Sequence, residues 1–429
     1  MRQRLLLDVT KTFESGFATG IQRVVRELAR RTDLIGERLD RDAVLVVASG
    51  GGYHRLDGPG VARLMTPAPA GEQSLVAQSG LIRRLKALLE ANVWAYATMQ
   101  RLTVARRLAT LTRGLEPIAV RADDLVALID YFGAGTPSVD AIVRARGTGA
   151  TTIAIVYDII PLLHGEMVPG TTGYPFKWAY KRLVPSVDGL IAISRSGADL
   201  VRAERTVQTA NVPVASFYLG QDLQVVEGEP RGTTIPAAAW HDGPTFVMVG
   251  TIEPRKRHAA TLAAFDTVWD AGHAANLVLV GRIGWDVDAF LDEARRHPRY
   301  GTSLFLCHQV DDRELHDAIA RADATIMASK AEGFGLPIVE SLALGVPVIA
   351  ADIPIFREVA GTAGAYFLPD DTAAFAAAII AFITHPEVYT AAARAFRWID
   401  WDGSAAEFAD AVDTIARARA TRDGTGPPA

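Results

Sequence analysis

The chain of 429 residues has one cysteine, Cys307, which excludes an intramolecular disulfide and a zinc site built from several thiolates. It also lacks the basic excess of a dedicated nucleic-acid binder, since 44 Lys and Arg oppose 49 Asp and Glu. The apolar N-terminal run ends at Asp8, too early for a signal peptide. The longest apolar run, Ala373–Ile383, is shorter than the roughly 20 residues of a membrane helix. The sequence predicts a cytoplasmic protein without a membrane span or nucleic-acid partner.

Apolar residues make up 49% of the chain and fall into short β-branched runs that alternate with helix-length patterns. This alternation is typical of parallel α/β layers, and continuous apolar runs indicate strands buried on both faces. The ten predicted strands are Leu5–Val9, Ala43–Ala48, Leu125–Ile129, Thr151–Tyr157, Gly189–Ser194, Thr245–Gly250, Asn276–Gly281, Ser303–Cys307, Ala324–Ala328 and Pro347–Ala351.

The runs form two sets, which predicts two Rossmann-like, doubly wound parallel-sheet domains facing a cleft. The first domain spans residues 1–228, with a helical insertion at about 76–114. A segment rich in Gly, Pro and Thr, residues 229–244, is the predicted linker. The second domain spans 245–405, and 406–429 is predicted to be a C-terminal helix and tail.

The segment Ser329–Gly361 follows a predicted strand and carries the most informative motif, EGFGLPIVE. Gly333 and Gly335 allow a tight loop whose N–H groups can approach a ligand, and a helix that begins near Pro337 offers an anion site. Glu332 and Glu340 present two carboxylates to the same region, suited to hydroxyl groups. The simpler interpretation is a solvated Glu332 and a Glu340 that offsets the helix dipole.

Glu332 and Glu340 form Glu-x7-Glu within EGFGLP and the following A-x-G-x-P-V-I-A, which resembles the donor-binding signature of the family 4 retaining glycosyltransferases with the GT-B fold. The resemblance implies that Glu340 binds the ribose of a nucleotide-sugar and that Glu332 contacts the donor sugar, with a role in catalysis. It also implies that the amides around sugar and phosphate belong to Gly333, Phe334, Gly335 and Leu336.

A second matching element is Val249–Phe265, where Gly250 ends a strand and three cations precede a helix. In the resembled family an arginine and a lysine here hold the diphosphate. Lys256 matches the lysine, whereas Thr251 stands where the arginine is expected, so Arg255 is predicted to supply the guanidinium. A merely solvated set of cations would oppose the helix dipole.

The first domain contains weaker signals. The stretch around Gly20 and Arg23 is similar to the start of bacterial polysaccharide mannosyltransferases of the same family, where the glycine loop lies against the donor phosphates; Arg23 could equally form a helix salt bridge. Asp158 is the candidate for contact with the acceptor or the reacting sugar, and His164 is the nearby imidazole. Both have structural alternatives, since an Asp can cap the next turn.

Asp-x-Asp pairs occur at Asp40–Asp42, Asp286–Asp288 and Asp400–Asp402, as chance predicts in a chain with many acids. Cations and a helix dipole can neutralise a diphosphate without a metal. We therefore expect no metal and no cofactor, with the nucleotide-sugar as substrate.

The mild overall charge conceals a basic segment, residues 81–113, where seven cations face only Glu90. Leucines recur there at helical spacing. Such a segment can lie on an anionic membrane surface, or it can be a helical insertion with solvated cations. The cations are Arg83, Arg84, Lys86, Arg101, Arg106, Arg107 and Arg113.

Together these features predict a retaining, metal-independent hexosyltransferase of bacterial polysaccharide synthesis, peripheral on the inner membrane face, with a glycan or lipid-linked glycan as acceptor. The N-terminal similarity favours mannose from GDP-mannose over UDP-sugars. The alternatives are a GT-B sugar-nucleotide epimerase and a non-catalytic sugar-nucleotide-binding subunit. Two departures slightly favour the non-catalytic subunit: Thr251 stands where the family has arginine, and Tyr157 stands where it often has histidine before the aspartate.

Overall fold

The computed structural model describes residues 2–17, 19–66, 93–133, 135–221, 234–308 and 310–424. They form two α/β units, one of Met1–Gly220 with Ile399–Ala429 and one of Gln221–Trp398. The predicted class of two doubly wound parallel-sheet domains is confirmed.

The first unit is built on an eight-stranded sheet with the order β4-β3-β2-β1-β5-β6-β7-β8. β3 runs antiparallel to both of its neighbours and the other pairs are parallel. Its central strands are apolar on both faces because helices cover both sides. The strands are β1 Arg4–Asp8, β2 Asp42–Ser49, β3 Gly52–Arg55, β4 Pro117–Ile118, β5 Leu125–Leu128, β6 Thr151–Val156, β7 Gly189–Ala192 and β8 Val214–Ser216.

The helices described between these strands are α1 Thr10–Ser15, α2 Gly20–Arg30, α3 Thr32–Arg38, α4 Gly58–Met65, α5 Val93–Leu111, α6 Ser138–Gly147, α7 Ile160–Leu163, α8 Gly170–Leu183, α9 Arg195–Ala203 and α10 Arg205–Ala210. Short 3-10 helices lie at Gly165–Met167 and Val184–Ser186.

The second unit contains an all-parallel six-stranded sheet with the order β11-β10-β9-β12-β13-β14. Chain order reverses between the adjacent strands β9 and β12, which is the position where doubly wound sheets bind ligands at their carboxyl ends. The strands are β9 Thr245–Val249, β10 Asn276–Val280, β11 Leu304–Cys307, β12 Ala324–Met327, β13 Val348–Ala351 and β14 Gly364–Phe367.

The helices of the second unit are α11 His258–Asp270, α12 Asp288–Arg296, α13 Asp312–Arg321, α14 Leu336–Ala343, α15 Pro354–Ala360, α16 Thr372–Thr384 and α17 Pro386–Ala395. The 3-10 helices are Ala237–Trp240, Pro254–Lys256 and Gly361–Ala363.

The last helix, α18 (Trp401–Arg422), returns to the first unit. Its buried side chains recur at helical spacing and pack on β8, and Phe408 meets the ring of Phe217 with centroids 5.4 Å apart. At the far end, Arg419 Nη1 lies 3.0 Å from Asp188 Oδ2.

The unit boundaries lie at Gly220 and Trp398, whereas the sequence suggested residues 228 and 405. The described part of the predicted linker 229–244 belongs to the second unit and includes the 3-10 helix Ala237–Trp240; residues 229–233 lie outside the described residues. Residues 76–92 of the predicted insertion lie outside them too, and the rest is largely α5.

In the part of the chain that the structure describes, no single helix combines the length and apolar character needed to cross a membrane. Taken together, α16 and α17 pass that test, but they meet at a bend of 87°.

Candidate functional site

Two loops at the carboxyl ends of β9 and β12 hold most of the predicted donor-site residues. The first loop runs from Gly250 through Lys256 to α11, and the second from Ser329 to α14. Since β9 and β12 are hydrogen-bonded neighbours, their loops leave the same edge of the sheet side by side. The two motifs, which are far apart in the sequence, therefore lie next to each other in the second unit.

The loop that follows β9 packs closely against the end of β10. Gly250 has φ 146° and donates its N–H to Val280 O at 2.9 Å. A Cβ on Gly281 would lie 1.8 Å from Gly250 O, so only glycine fits at 281. A Cβ on Gly250 would lie 3.5 Å from Lys256 Cε, which shows that the lysine side chain folds back over this loop. This close packing was not predicted from the sequence, although Gly281 follows β10 as Gly250 follows β9.

Glu332 contacts both cations predicted to hold the diphosphate. Its Oε2 lies 2.9 Å from Arg255 Nη1, and its Oε1 accepts a hydrogen bond from Lys256 Nζ. Arg255 also donates from Nη1 to Ala331 O at 2.5 Å, and Lys330 N donates to Arg255 O at 3.0 Å. Arg255 thus joins the two loops.

Glu253 completes this group, because its Oε1 lies 2.6 Å from Arg255 Nη2. We refer to Glu253, Arg255, Lys256 and Glu332 as the charge cluster. Their side chains are only 11–18% exposed. Glu253 was not singled out in the sequence, since a carboxylate beside an expected anion site has no local signature.

The cluster holds Glu332 ionised. Burial alone would raise the pKa of its carboxyl, but the positive charges of Lys256 and Arg255 outweigh burial and lower it to about 2. In contrast, burial together with the charge of Lys256 lowers the pKa of His258, at the start of α11, to about 3. The imidazole beside the cluster is therefore neutral at physiological pH.

The third cation of the segment, Arg257, takes a different partner. Its Nη2 lies 3.2 Å from Asp370 Oδ1, which also lies 3.0 Å from Lys330 Nζ. Hydrogen bonding to Lys330 lowers the pKa of this exposed carboxyl. The structure thus separates Arg257 from the pair Arg255 and Lys256.

The loop after β12 leads into α14 as the sequence predicted. Gly335 has φ 100°, and a Cβ there would lie 3.0 Å from Phe356 Cε1, so the position requires glycine. Phe334 is buried against Trp398, with ring centroids 6.0 Å apart, and thereby anchors the loop. Leu336 is the first residue of α14, and the half-buried Glu340 lies just over one turn further along this helix. Gly333 follows Glu332 in the loop before the helix.

The remaining predicted residues lie in the first unit. Asp158 follows β6, and its Oδ1 accepts a hydrogen bond from Ile160 N at 3.0 Å, the turn-capping geometry of the structural alternative. Tyr157, which stands where the resembled family often has histidine, is buried and donates its hydroxyl to Ile129 O at 2.6 Å. His164 is 42% exposed and lies 3.7 Å from Glu166.

Gly20 is the exposed first residue of α2, and Arg23 lies half-buried one turn later. The donor-side roles of Gly20 and Arg23 stay predictions. The same helix buries Arg26, which donates to Leu64 O and Phe17 O at 2.8 Å each and so fixes the chain before α2.

Within the described ranges, no group of three His, Cys, Asp or Glu side chains is placed to hold a metal ion. Two of the Asp-x-Asp pairs serve helix starts: Asp288 begins α12, and Asp400 Oδ1 accepts the N–H of Gly403 at 2.7 Å at the start of α18.

The described part of the basic segment is α5 with the turn after it. The helix buries Val104 and Leu108 but leaves Leu102 57% exposed and Met99 39% exposed. Arg101 and Arg107 lie within 3.0 and 3.4 Å of Asp140 and Glu14, respectively. The helix therefore presents apolar and cationic side chains together.

The sequence and the fold of this chain are similar to those of known proteins. Residues 234–397 match the family described as glycosyl transferases group 1. The serotype-specific mannosyltransferase WbdA of Escherichia coli is 34% identical over 310 residues, which are 68% of this chain and 37% of WbdA. A phosphatidyl-myo-inositol mannosyltransferase of Mycolicibacterium smegmatis is 31% identical over 277 residues, 61% of this chain and 66% of that protein.

Among solved structures, Anabaena HepE in complex with UDP-glucose is similar over 98% of this chain and 99% of that chain, with a TM-score of 0.54 at 16% identity. This likeness shows that the fold is GT-B. The chain spans little more than a third of the length of the WbdA relatives that it matches, at 37%.

Proposed function

The chain carries a glycosyl transferases group 1 domain and is a homologue of the bacterial O-antigen mannosyltransferases, and from this premise we propose that it is a hexosyltransferase of bacterial polysaccharide synthesis. The donor is a nucleotide-sugar, GDP-mannose in preference to a UDP-sugar. The acceptor is a glycan or a lipid-linked glycan. The reaction retains the anomeric configuration and needs neither metal nor cofactor.

One observation carries this proposal: Lys256 and Arg255 meet Glu332 at the point where strand order reverses, in the unit that matches the family. Cations at the start of a helix, next to loops that contain glycine, can bind a diphosphate. Carboxylates on the neighbouring loop and helix can accept hydrogen bonds from the hydroxyls of the sugar and the ribose. A nucleotide-sugar is a ligand that needs both kinds of group in one place.

In the proposed reaction, the bond between the anomeric carbon and the diphosphate oxygen breaks, and a bond to the acceptor oxygen forms. The acceptor hydroxyl attacks on the face that the diphosphate leaves, and its proton passes to the departing phosphate. Lys256, Arg255 and the loop amides stabilise the charge that develops on the diphosphate. Glu340 holds the ribose and Glu332 the sugar, with Asp158, Gly20, Arg23 and His164 as first-unit candidates.

The donor assignment is tested with Glu340→Gln. The neutral amide removes a charge-assisted hydrogen bond, so we expect affinity for the preferred nucleotide-sugar to fall about tenfold, equivalent to roughly 1.4 kcal/mol. Thermal-shift titration of the wild-type chain with GDP-mannose, GDP, UDP-glucose and UDP selects the ligand, since a bound ligand raises the melting temperature.

The matched control is Glu387→Gln, because Glu387 lies in the same unit and its side chain is 71% exposed. We expect this variant to bind the nucleotide-sugar as tightly as the wild type does. Unchanged affinity in the Glu340 variant contradicts the ribose assignment. Transfer is followed as nucleoside diphosphate released on addition of acceptor glycan. Donor conversion without acceptor would favour an epimerase, and binding without transfer to any acceptor would favour a non-catalytic subunit.

The basic segment is proposed to touch an anionic membrane surface during transfer to a lipid-linked acceptor, with the protein in the cytoplasm. Exposed Leu102 and Met99 beside arginines support this, because apolar side chains can enter the headgroup region while cations meet anionic lipid.

Arg106→Glu combined with Arg113→Glu should abolish most of the pelleting with phosphatidylglycerol vesicles, since each cation near such a surface contributes about 1 kcal/mol. Co-sedimentation with and without the anionic lipid measures this. The reversal Arg417→Glu, at a side chain 79% exposed on α18, should leave pelleting unchanged. If the wild type pellets equally with neutral and anionic vesicles, the segment does not bind anionic lipid, and the interpretation as a helical insertion with solvated cations remains.

A further inference from the structure

The positive and negative side chains of the charge cluster are equal in number. Its two cations, Arg255 and Lys256, face two carboxylates, Glu253 and Glu332, within the hydrogen-bonded contacts described above. The low pKa of Glu332 means that this carboxylate keeps its negative charge. The two cations expected to bind an anion are thus already paired with carboxylates of the same cluster.

This balance conflicts with the binding of a diphosphate at the same cations. A nucleoside diphosphate has two or more negative charges, and charged groups at hydrogen-bond distance in a partly buried site repel one another strongly. Glu332 is in contact with both cations, whereas Glu253 is in contact with Arg255 only. Glu332 is therefore the carboxylate that competes with a diphosphate for Lys256.

We infer that Glu332 determines the specificity of the site for an intact sugar donor over the spent nucleoside diphosphate, by occupying Lys256 and Arg255 whenever no sugar is bound. This inference rests on the proposed function. With an intact donor, the hydroxyls of the sugar offer Glu332 alternative hydrogen-bond partners, and the cations are free for the diphosphate. Without the sugar, Glu332 keeps its contacts with Lys256 and Arg255 and opposes the anion.

The same competition assists turnover. Once the sugar has moved to the acceptor, Glu332 loses its hydroxyl partners and returns to Lys256. The nucleoside diphosphate then shares its cations with a carboxylate and dissociates faster. Because the spent nucleoside diphosphate carries more negative charge than the intact donor, a carboxylate among the cations weakens product binding more than donor binding.

The substitution Glu332→Gln tests whether the carboxylate competes with the diphosphate. The amide keeps the shape and hydrogen-bonding capacity of the side chain but removes its charge. We expect the variant to bind GDP about tenfold more tightly than the wild type, while its affinity for GDP-mannose is unchanged or weaker. The ratio of the two dissociation constants, measured by isothermal titration calorimetry, should therefore move at least tenfold towards GDP. If a uridine nucleotide stabilises the wild type instead, UDP and UDP-glucose are the pair.

Glu253→Gln is the matched control, since it removes one negative charge from the same cluster but leaves Lys256 and its partner in place. It should shift affinity for both ligands alike and leave their ratio within about threefold of the wild type. Glu332→Ala provides a second variant in case the amide perturbs folding, and it should move the ratio in the same direction.

A Glu332→Gln variant that binds GDP no more tightly than the wild type overturns the inference while leaving the proposed function intact. The proposed function fails by a different result: no nucleotide or nucleotide-sugar stabilises the wild-type chain. An equal gain in affinity for GDP and GDP-mannose also overturns the inference, because it would show a general charge effect without discrimination.

Discussion

Replacing Lys256 by alanine should lower kcat/KM for sugar transfer by about 10²–10³-fold, the cost typical of removing one preorganised group that stabilises a developing negative charge. In the structure, Lys256 lies over Gly250 and donates to Glu332, so its side chain is already positioned by the fold. We also expect weaker binding of the nucleoside diphosphate, by about tenfold or more. Steady-state kinetics and calorimetry measure the two effects separately.

Arg257→Ala is the matched control, because Arg257 is a neighbouring cation that pairs with the exposed Asp370 and not with Glu332. Its transfer rate should stay within about threefold of the wild type. Lys256→Arg should recover part of the lost affinity, since it restores the charge. Nucleotide affinity that is the same in Lys256→Ala and in the wild type would remove Lys256 from the site.

Phe408→Ala should destabilise the first unit by about 3–5 kcal/mol, the usual cost of truncating a fully buried phenylalanine. The ring is 0% exposed and lies edge-on to Phe217, which immediately follows β8. Truncation would leave a cavity between α18 and the sheet edge. For a unit of about 250 residues, each kcal/mol corresponds to a melting temperature lower by about 2–4 °C.

Arg417→Ala on the same helix serves as its control. Arg417 is 79% exposed, and its ion pair with Asp413 lies one turn away on the helix surface, so we expect the free energy of unfolding to change by less than about 0.5 kcal/mol. Urea unfolding followed by circular dichroism measures both variants. Equal stability of the two would mean that α18 contributes little to the first unit.

The buried centre of each sheet was predictable from the sequence, because strands covered on both faces must be apolar along their length. The four strands that the sequence did not reveal, β3, β4, β8 and β14, lie at or next to sheet edges. Strands at these positions are partly exposed to solvent, and short strands such as Gly52–Arg55 contain both polar and apolar residues. Their pairing is set by the neighbouring strand and not by a local pattern.

The donor-site residues were found through motifs, but the contacts among them were not. A sequence shows that Arg255, Lys256 and Glu332 carry charge, yet only the adjacency of β9 and β12 brings residues 76 positions apart into one ion-pair group. The requirement for glycine at 281 arises in the same way, from an approach of two chain segments.

The return of α18 to the first unit constrains the order in which the chain can fold during synthesis. A ribosome makes chains from the N-terminus, so every residue of the second unit emerges before Phe408 and Ile415 are available to cover the first sheet. A Cβ on Gly189 would come within 2.4 Å of Ile415, which shows how closely α18 packs on β7. The second unit can thus complete its fold first, while the apolar surface beneath α18 stays open to chaperones until translation of that helix ends.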